Sequence, residues 1–170
     1  GLKSVVLRYF NACGSDHEGK LGEDHRPETH LIPCALRAAA GRNPALTLFG
    51  TDYDTPDGTC IRDYVHVEDL ASAHLLALKH LANGGESRTY NLGSGNGFSV
   101  REIISACEKA SGRSIPVTLA GRRAGDPARL VADSAAIRRD WGWEPQWTDV
   151  VDIARHAWTW MEAHPEGYKQ

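Results

Sequence analysis

The apolar positions of this chain fall into short blocks that switch between strand and helix periodicity. An apolar, β-branched run, Ser4–Phe10, reads as a strand of the kind buried in parallel sheets. Its carboxyl end delivers Tyr9, Phe10 and Asn11. Thr29 as N-cap, Pro33 in the first turn, an alanine-rich run to Ala40 and then Gly41 predict a helix. Further strands are expected over Leu46–Phe49, Ile61–Val67, Thr89–Leu92, Ile115–Leu119 and Leu130–Ala132. Helices are expected from Glu68-Asp69 through Leu81, over Ser99–Ser111 with a Ser99/Glu102 capping box and a stop at Gly112, and as a turn capped by Asp133. A last helix spans Thr148–His164, where Val150, Ile153, Ala154, Ala157, Trp158 and Met161 recur at helical spacing and mark a core-facing stripe.

Length and composition fit this picture: 170 residues, 41% hydrophobic and 24% charged, are ordinary globular material with room for a core. A formal charge of −3 argues against general nucleic-acid or anionic-membrane binding, and no apolar run approaches the roughly 18 residues of a membrane span. Cys13, Cys34, Cys60 and Cys107 are scattered without a C-x-x-C pair, so they read as reduced, cytoplasmic thiols rather than a disulfide framework or zinc site. The charged loop Ser15–Glu28 carries His17 and His25 among Asp16, Glu18, Glu23 and Asp24. Without a spacing such as H-x-x-x-H it reads as a solvated loop, and no metal site is expected. The chain starts Gly1-Leu2-Lys3 and enters an apolar strand almost at once, as if it were part of something longer.

Candidate chemistry concentrates in FGTDYDTPDGTCIRDYVHV, Phe49–Val67, where Arg62 interrupts an apolar strand just after a turn-rich loop. A cation there either forms a surface ion pair with Asp63 or Asp57 or meets an anionic ligand. Arg122-Arg123 is likewise either a solvated basic turn balanced by Asp126 or an anion clamp. Two signatures of dinucleotide chemistry are missing. Gly93, Gly95 and Gly97 follow a predicted strand but are spaced G-x-G-x-G rather than G-x-G-x-x-G, no acidic residue stands near position 117, and these glycines read as a tight turn into the Ser99 helix. No tyrosine is followed four positions later by lysine. Asn11, at the carboxyl end of a parallel strand, is a site candidate on geometry, or the cap of the following turn.

LRYFNACG (Leu7–Gly14), THLIP (Thr29–Pro33), LTLFG (Leu46–Gly50), YNLGSGNG (Tyr90–Gly97) and RRAGDPARLVAD (Arg122–Asp133), with the Arg62 strand, are collinear with the C-terminal half of one family. The chain resembles the sugar-nucleotide epimerases of the extended short-chain dehydrogenase/reductase family. The resemblance implies an α/β fold, in which the last part of a Rossmann-type parallel sheet joins the smaller substrate-binding lobe, with residues 1–170 as the C-terminal part and the dinucleotide-binding half absent. It implies NAD as cofactor, UDP-galactose and UDP-glucose as substrates interconverted by transient oxidation at C4, and a homodimer for the intact enzyme. Arg62 and Arg123 would hold the diphosphate, Phe49 with the Thr47-Leu48 backbone the uracil, and Asp126 the ribose hydroxyls. His30 and Leu31 would lie near the nucleotide, Asn11 near the sugar and its phosphate, Leu130 beside the sugar C2 substituent, and Phe10 near the cofactor. None of these is a catalytic acid or base, so the chain alone would be inactive. Other readings are a decarboxylase or dehydratase of the same family, or a non-catalytic sugar-nucleotide-binding fragment.

Overall fold

In the computed structural model, which describes residues 1–168, thirteen elements follow in chain order. They are β1 (Val5–Arg8), β2 (Asn11–Cys13), α1 (Leu31–Ala39), β3 (Leu46–Phe49), β4 (Ile61–His66), α2 (Val67–Ala82), β5 (Arg88–Asn91), β6 (Gly97–Ser99), α3 (Val100–Ser111), β7 (Val117–Ala120), β8 (Arg129–Leu130), α4 (Ala135–Trp141) and α5 (Val150–Ala163). The α/β reading holds. The run Ser4–Phe10 holds one strand, β1, which pairs in parallel with β5 and stops at Arg8; the chain bends at Tyr9-Phe10, and Asn11 then opens a second strand, β2, which pairs in parallel with β4 in the register Asn11↔Tyr64. Two strands separated by only two residues therefore join different sheets.

Strand β4 is the hub. Its carboxyl half pairs with β2, and its amino half lies between antiparallel β6 and parallel β8. Because strand side chains alternate faces, Tyr64 joins a core built from α1, α3, α5 and β3, whereas Val65 joins a second core with Leu92, Ile137 and Trp143. On the Val65 face sits Asp63, fully buried, whose carboxylate accepts from Ser94 N (2.9 Å), Ser94 Oγ (2.8 Å) and Ala132 N (3.1 Å). A side chain on Gly93 would collide with Asp63 and Ala132. The glycine turn is thus packed against β4, and Gly97 begins β6, a strand that the turn reading passed over.

Helix ends follow local chemistry, with shifts of a residue or two from expectation. The Ser99/Glu102 capping box is formed, with Glu102 N donating to Ser99 Oγ (3.1 Å) and Ser99 N to Glu102 Oε2 (2.7 Å). Gly112 closes α3 at φ +67°, a left-handed conformation that suits glycine. Thr29 does not cap α1: His30 occupies that place, and Glu28 Oε1 accepts from both Thr29 N and His30 N at 2.7 Å. The final strand residue His66 caps α2, its Nδ1 accepting from Glu68 N at 3.1 Å. In the first turn of α2, the Asp69 carboxylate accepts from the backbone N–H groups of Gln146 (2.8 Å) and Trp147 (3.1 Å).

Since His66 Nδ1 accepts from Glu68 N, its proton sits on Nε2 and points to His156 Nδ1 at 3.1 Å. Burial first and the neighbouring His156 second push the His66 imidazole down from 6.5 to about 4. The unfolded chain takes up this proton near 6.5 and the folded chain only near 4, so His66 lends stability above that window and loses it as pH falls through it. Burial pushes Glu68 up, but bonds from His17 and Trp147 outweigh it and hold this carboxyl at about 2, so its contribution is lost only below 4.5. His17, raised by Glu68, works in the opposite direction. Thermal melts between pH 6.5 and 4 are expected to show a falling melting temperature, with a smaller fall in His66→Gln. Asp63→Ala leaves two buried amide donors without acceptors, at about 1–3 kcal/mol each. A loss of roughly 2–6 kcal/mol in denaturant unfolding is expected, against little change for a surface substitution such as Asp54→Ala.

Candidate functional site

Five segments converge on a cleft of about 490 Å³: the start of β2, the amino end of α1, β3, β4 and the turn between β7 and β8. Arg62 projects into it from β4 with its side chain only 12% exposed, bonded to the Asp126 carboxylate and, through Nη1, to the Ile61 carbonyl at 2.7 Å. The ion-pair partner is therefore Asp126, and neither Asp63 nor Asp57. Asp63 holds the glycine turn, and Asp57 accepts from Thr59 N (2.8 Å) and Thr59 Oγ1 (2.7 Å). The adjacent arginines part company. Arg122 lies 4.4 Å over the Tyr53 ring and bonds Asp52 Oδ1 at 2.8 Å, pinning the Asp52–Gly58 loop. Arg123 turns into the cleft, its guanidinium 4.0 Å above the Phe49 centroid, with no carboxylate partner among the described residues.

The backbone of β3 offers a second kind of recognition. Leu46 N and Gly50 N donate to Pro116 O (2.8 Å) and Ala120 O (2.9 Å) on the β7 side. Strand period 2 then turns the peptide groups of Thr47 and Phe49 the other way, toward the unpaired edge that faces the cleft. Asn11 Nδ2 donates to Asp63 O at 2.7 Å, which leaves its carbonyl oxygen as an acceptor. His30 Nδ1 is fixed by Glu23 Oε1 at 2.7 Å and Glu28 Oε1 at 3.1 Å. Leu31, Ile32 and Pro33 bring the first turn of α1 to the cleft, where helix N–H groups favour an anion.

Of the residues read from the sequence, Asn11, His30, Leu31, Thr47, Phe49, Arg62, Arg123 and Asp126 meet in this cleft. Three lie outside its lining. Leu48 is 1% exposed and belongs to the core, its peptide group on the β7 side. Phe10 is 47% exposed in the break between β1 and β2. Leu130 is the register partner of Arg62 across β4 and β8, so its side chain shares the Arg62 face at the rim. Sequence reasoning missed Cys60, Tyr64, Cys34 and Asn43, which also line the cleft. Cys60 and Tyr64 stand two residues either side of Arg62, and Cys34 stands four after His30, so strand and helix periodicity could have found them. Burial raises the Cys34, Cys60 and Tyr64 pKa values, so all three stay protonated at neutral pH. They form a binding wall and supply no base.

The cleft thus holds cations, an aromatic ring, a carboxylate and an open strand edge. The model of the NAD dependent epimerase/dehydratase family matches residues 1–93, more than half of the chain. The chain belongs to that family. A UDP-glucose 4-epimerase of Halalkalibacterium halodurans is 51% identical over 168 residues, which are 99% of this chain and 50% of the relative. A crystal structure of a UDP-glucose 4-epimerase, 54% identical, superposes with a TM-score of 0.96 over 99% of this chain and 51% of its own. The Bifidobacterium longum UDP-glucose 4-epimerase, described in complex with NAD+ and UDP, is 41% identical with a TM-score of 0.89 over 96% of this chain and 49% of its own. The chain spans about half the length of the curated relatives it matches.

The family's cofactor finds little of its cradle in these residues. Gly93 and Gly97 are closed off by Asp63, Ala132, Ile61 and Val131, so neither opens a path for a pyrophosphate. The prediction from this geometry concerns order in the cleft. Asp126→Asn removes the charge that holds Arg62, and the Arg62 guanidinium resonances are expected to broaden in NMR spectra; unchanged line widths would show that Asp126 does not position Arg62.

Proposed function

We propose that this chain is the UDP-sugar-binding half of a UDP-glucose 4-epimerase that interconverts UDP-galactose and UDP-glucose. The observation that carries the reading is the pairing of one anchored guanidinium, Arg62, with one uncompensated guanidinium, Arg123, in a cleft that also holds Phe49 and Asp126. Two adjacent phosphates need two cations, and planar guanidinium groups suit them. Asp126 bonds Arg62 through Oδ1, which leaves Oδ2 to accept from a ribose hydroxyl. The peptide groups of Thr47 and Phe49 read the uracil at the open edge of β3. Asn11 receives the sugar end, with Leu130 at the rim beside it. One face of Phe49 is already covered by Arg123, so the base meets the strand edge rather than that face.

NAD bound to the intact protein supplies the transient oxidation of sugar C4. This chain's residues hold the uridine diphosphate, and they form neither the dinucleotide cradle nor a base pair for C4. Interactions equal in ground and transition states govern capture of substrate more than the chemical step, so Arg62 and Arg123 act on affinity. We place the chain in the C-terminal half of the intact protein, because the Gly-rich loop and the Tyr-x-x-x-Lys pair are missing from it and the family match ends at residue 93 while likeness to the relatives runs on. Coding DNA upstream of Gly1 should carry both signatures; finding them downstream of Gln170 would reverse the order. The four cysteines, all free thiols, fit a reducing cytoplasm.

In the intact protein, Arg62→Ala and Arg123→Ala are each expected to weaken UDP binding roughly 10- to 100-fold, since a charge-assisted hydrogen bond is worth about 1.5–3 kcal/mol. Calorimetry with UDP reads this directly, and unchanged affinity in both variants would reject the diphosphate clamp. Leu130→Tyr should disfavour UDP-N-acetylgalactosamine against UDP-galactose and Leu130→Ser should favour it, each by about 10- to 200-fold in relative kcat/KM. A ratio that moves the same way in both variants would remove Leu130 from the site.

A further inference from the structure

The loop before α1 contains E-x-H twice, Glu23-Asp24-His25 and Glu28-Thr29-His30. A search for H-x-x-x-H passes over this arrangement, because the ligand atoms come as two carboxylate–imidazole pairs. Folding brings the pairs together: one ligand atom from each of Glu23, His25, Glu28 and His30 lies within 4.8 Å of all the others. His30 Nδ1 is 2.7 Å from Glu23 Oε1 and 3.1 Å from Glu28 Oε1, and His25 Nδ1 is 3.8 Å from Glu28 Oε1. A tetrahedral site with bonds of about 2.0–2.2 Å places its ligand atoms roughly 3.3–3.6 Å apart. Shifts of side chains alone span that difference.

Charge is the second observation. Two carboxylates stand here, the Glu28 side chain only 6% exposed, and among the described residues neither is paired with lysine or arginine. The nearby Arg26 is taken by Asp24 at 3.1 Å. The other cluster of this kind, Asp16, His17 and Glu68, differs in that both Glu68 oxygens are already occupied, Oε1 by His17 and Oε2 by Trp147 Nε1 at 2.9 Å. No donor among the described residues reaches Glu28 Oε2, whereas its Oε1 accepts from Thr29 N and His30 N just ahead of α1. A divalent cation would complete a neutral set of two carboxylates and two imidazoles. We propose that Glu23, His25, Glu28 and His30 bind a borderline divalent cation, with Zn²⁺ the best match to two nitrogen and two oxygen donors.

The balance of protons gives the cation a consequence. Without metal, the contact of His30 Nδ1 with two carboxylates places the ring proton on Nδ1, so Nε2 is a bare acceptor. A metal bond at Nδ1 displaces that proton, and the neutral ring then carries it on Nε2, with no net uptake or release. His30 lines the cleft, so the cation converts the remaining nitrogen of a residue that, on the proposed function, borders the nucleotide from acceptor to donor.

Co²⁺ is the probe, titrated into the chelator-stripped intact protein that carries this chain, with visible d–d bands as readout and Zn²⁺ as the displacing ion. One saturable equivalent is expected. His25→Ala, at a half-exposed loop position, and Glu23→Gln should each weaken it more than about 10-fold, because even partners one step removed from a metal cost about 10- to 100-fold. His17→Ala should leave it unchanged, and long-range ¹H–¹⁵N spectra should show the His30 proton on Nε2 once metal is bound. The proposal is overturned if no band saturates, if His25→Ala titrates like the parent, or if His17→Ala abolishes binding instead. UDP calorimetry reads the proposed function separately, so the failure of one is distinguishable from the failure of the other.

Discussion

The buried carboxylate of Asp63 is the interaction on which the rest of the structure depends. Its three accepted hydrogen bonds join β4 to the Gly93-Ser94 turn and to Ala132, and its own carbonyl oxygen holds Asn11 from β2. Four segments distant in sequence are thereby fixed to one residue. Arg62, next in the strand, faces the other way by simple alternation and is delivered to the cleft with its backbone already immobile. An anion-binding side chain gains from such a base, because less conformational freedom is lost on binding. A buried carboxylate is costly unless its oxygens are satisfied, and here two backbone amides and a hydroxyl do so without a cation.

Electrostatics in the cleft follow from how the arginines are shared out. Arg122 and Arg123 are neighbours, yet one is committed to the loop through Asp52 and Tyr53 while the other lies over Phe49 with no carboxylate partner among the described residues. Arg62 is half-neutralised by Asp126, whose backbone N–H donates to the Arg123 carbonyl at 3.4 Å and so closes the same turn that presents Arg123. The turn thus supplies both the free cation and the carboxylate that orients the bound one. Around them Cys34, Cys60 and Tyr64 stay protonated through burial, so none of these three offers an anion that could compete with a bound phosphate for the guanidinium groups.

Much of the fold was legible because local signals agreed with it: the Ser99/Glu102 box, the Gly112 stop and the apolar stripe of α5 all form where periodicity places them. What failed was tertiary. Nothing in VVLRYFNAC announces that the hydrogen-bonding partner changes from β5 to β4 across Tyr9-Phe10, since no glycine or proline marks the bend. The partner of Arg62 was illegible for the same reason: Asp57 and Asp63 are near in sequence, but each is claimed by other donors, and Asp126 lies 64 residues away. Leu48 shows the limit of motif reading, because a strand motif names every residue while the pleat sends only alternate ones to the cleft.

The division between what this half contains and what it lacks has a physical pattern. The cleft proposed for the uridine diphosphate closes on residues of this chain alone, from Asn11 to Asp126. The parallel pair of β1 and β5 is different: among the described residues the outer edge of β1 has no strand beside it, and Val6, Tyr9, Phe10 and, on α2, Leu75 and Leu78 are exposed. An unpaired parallel edge with apolar side chains is unfavourable in water on its own, and on the proposed function this is the face that the rest of the sheet would cover. On the proposed function, affinity for the nucleotide is then built into one half and the chemistry into the other. On that same reading the sugar end would meet this chain only at Asn11 and at the rim by Leu130, so few of its contacts would constrain the ring.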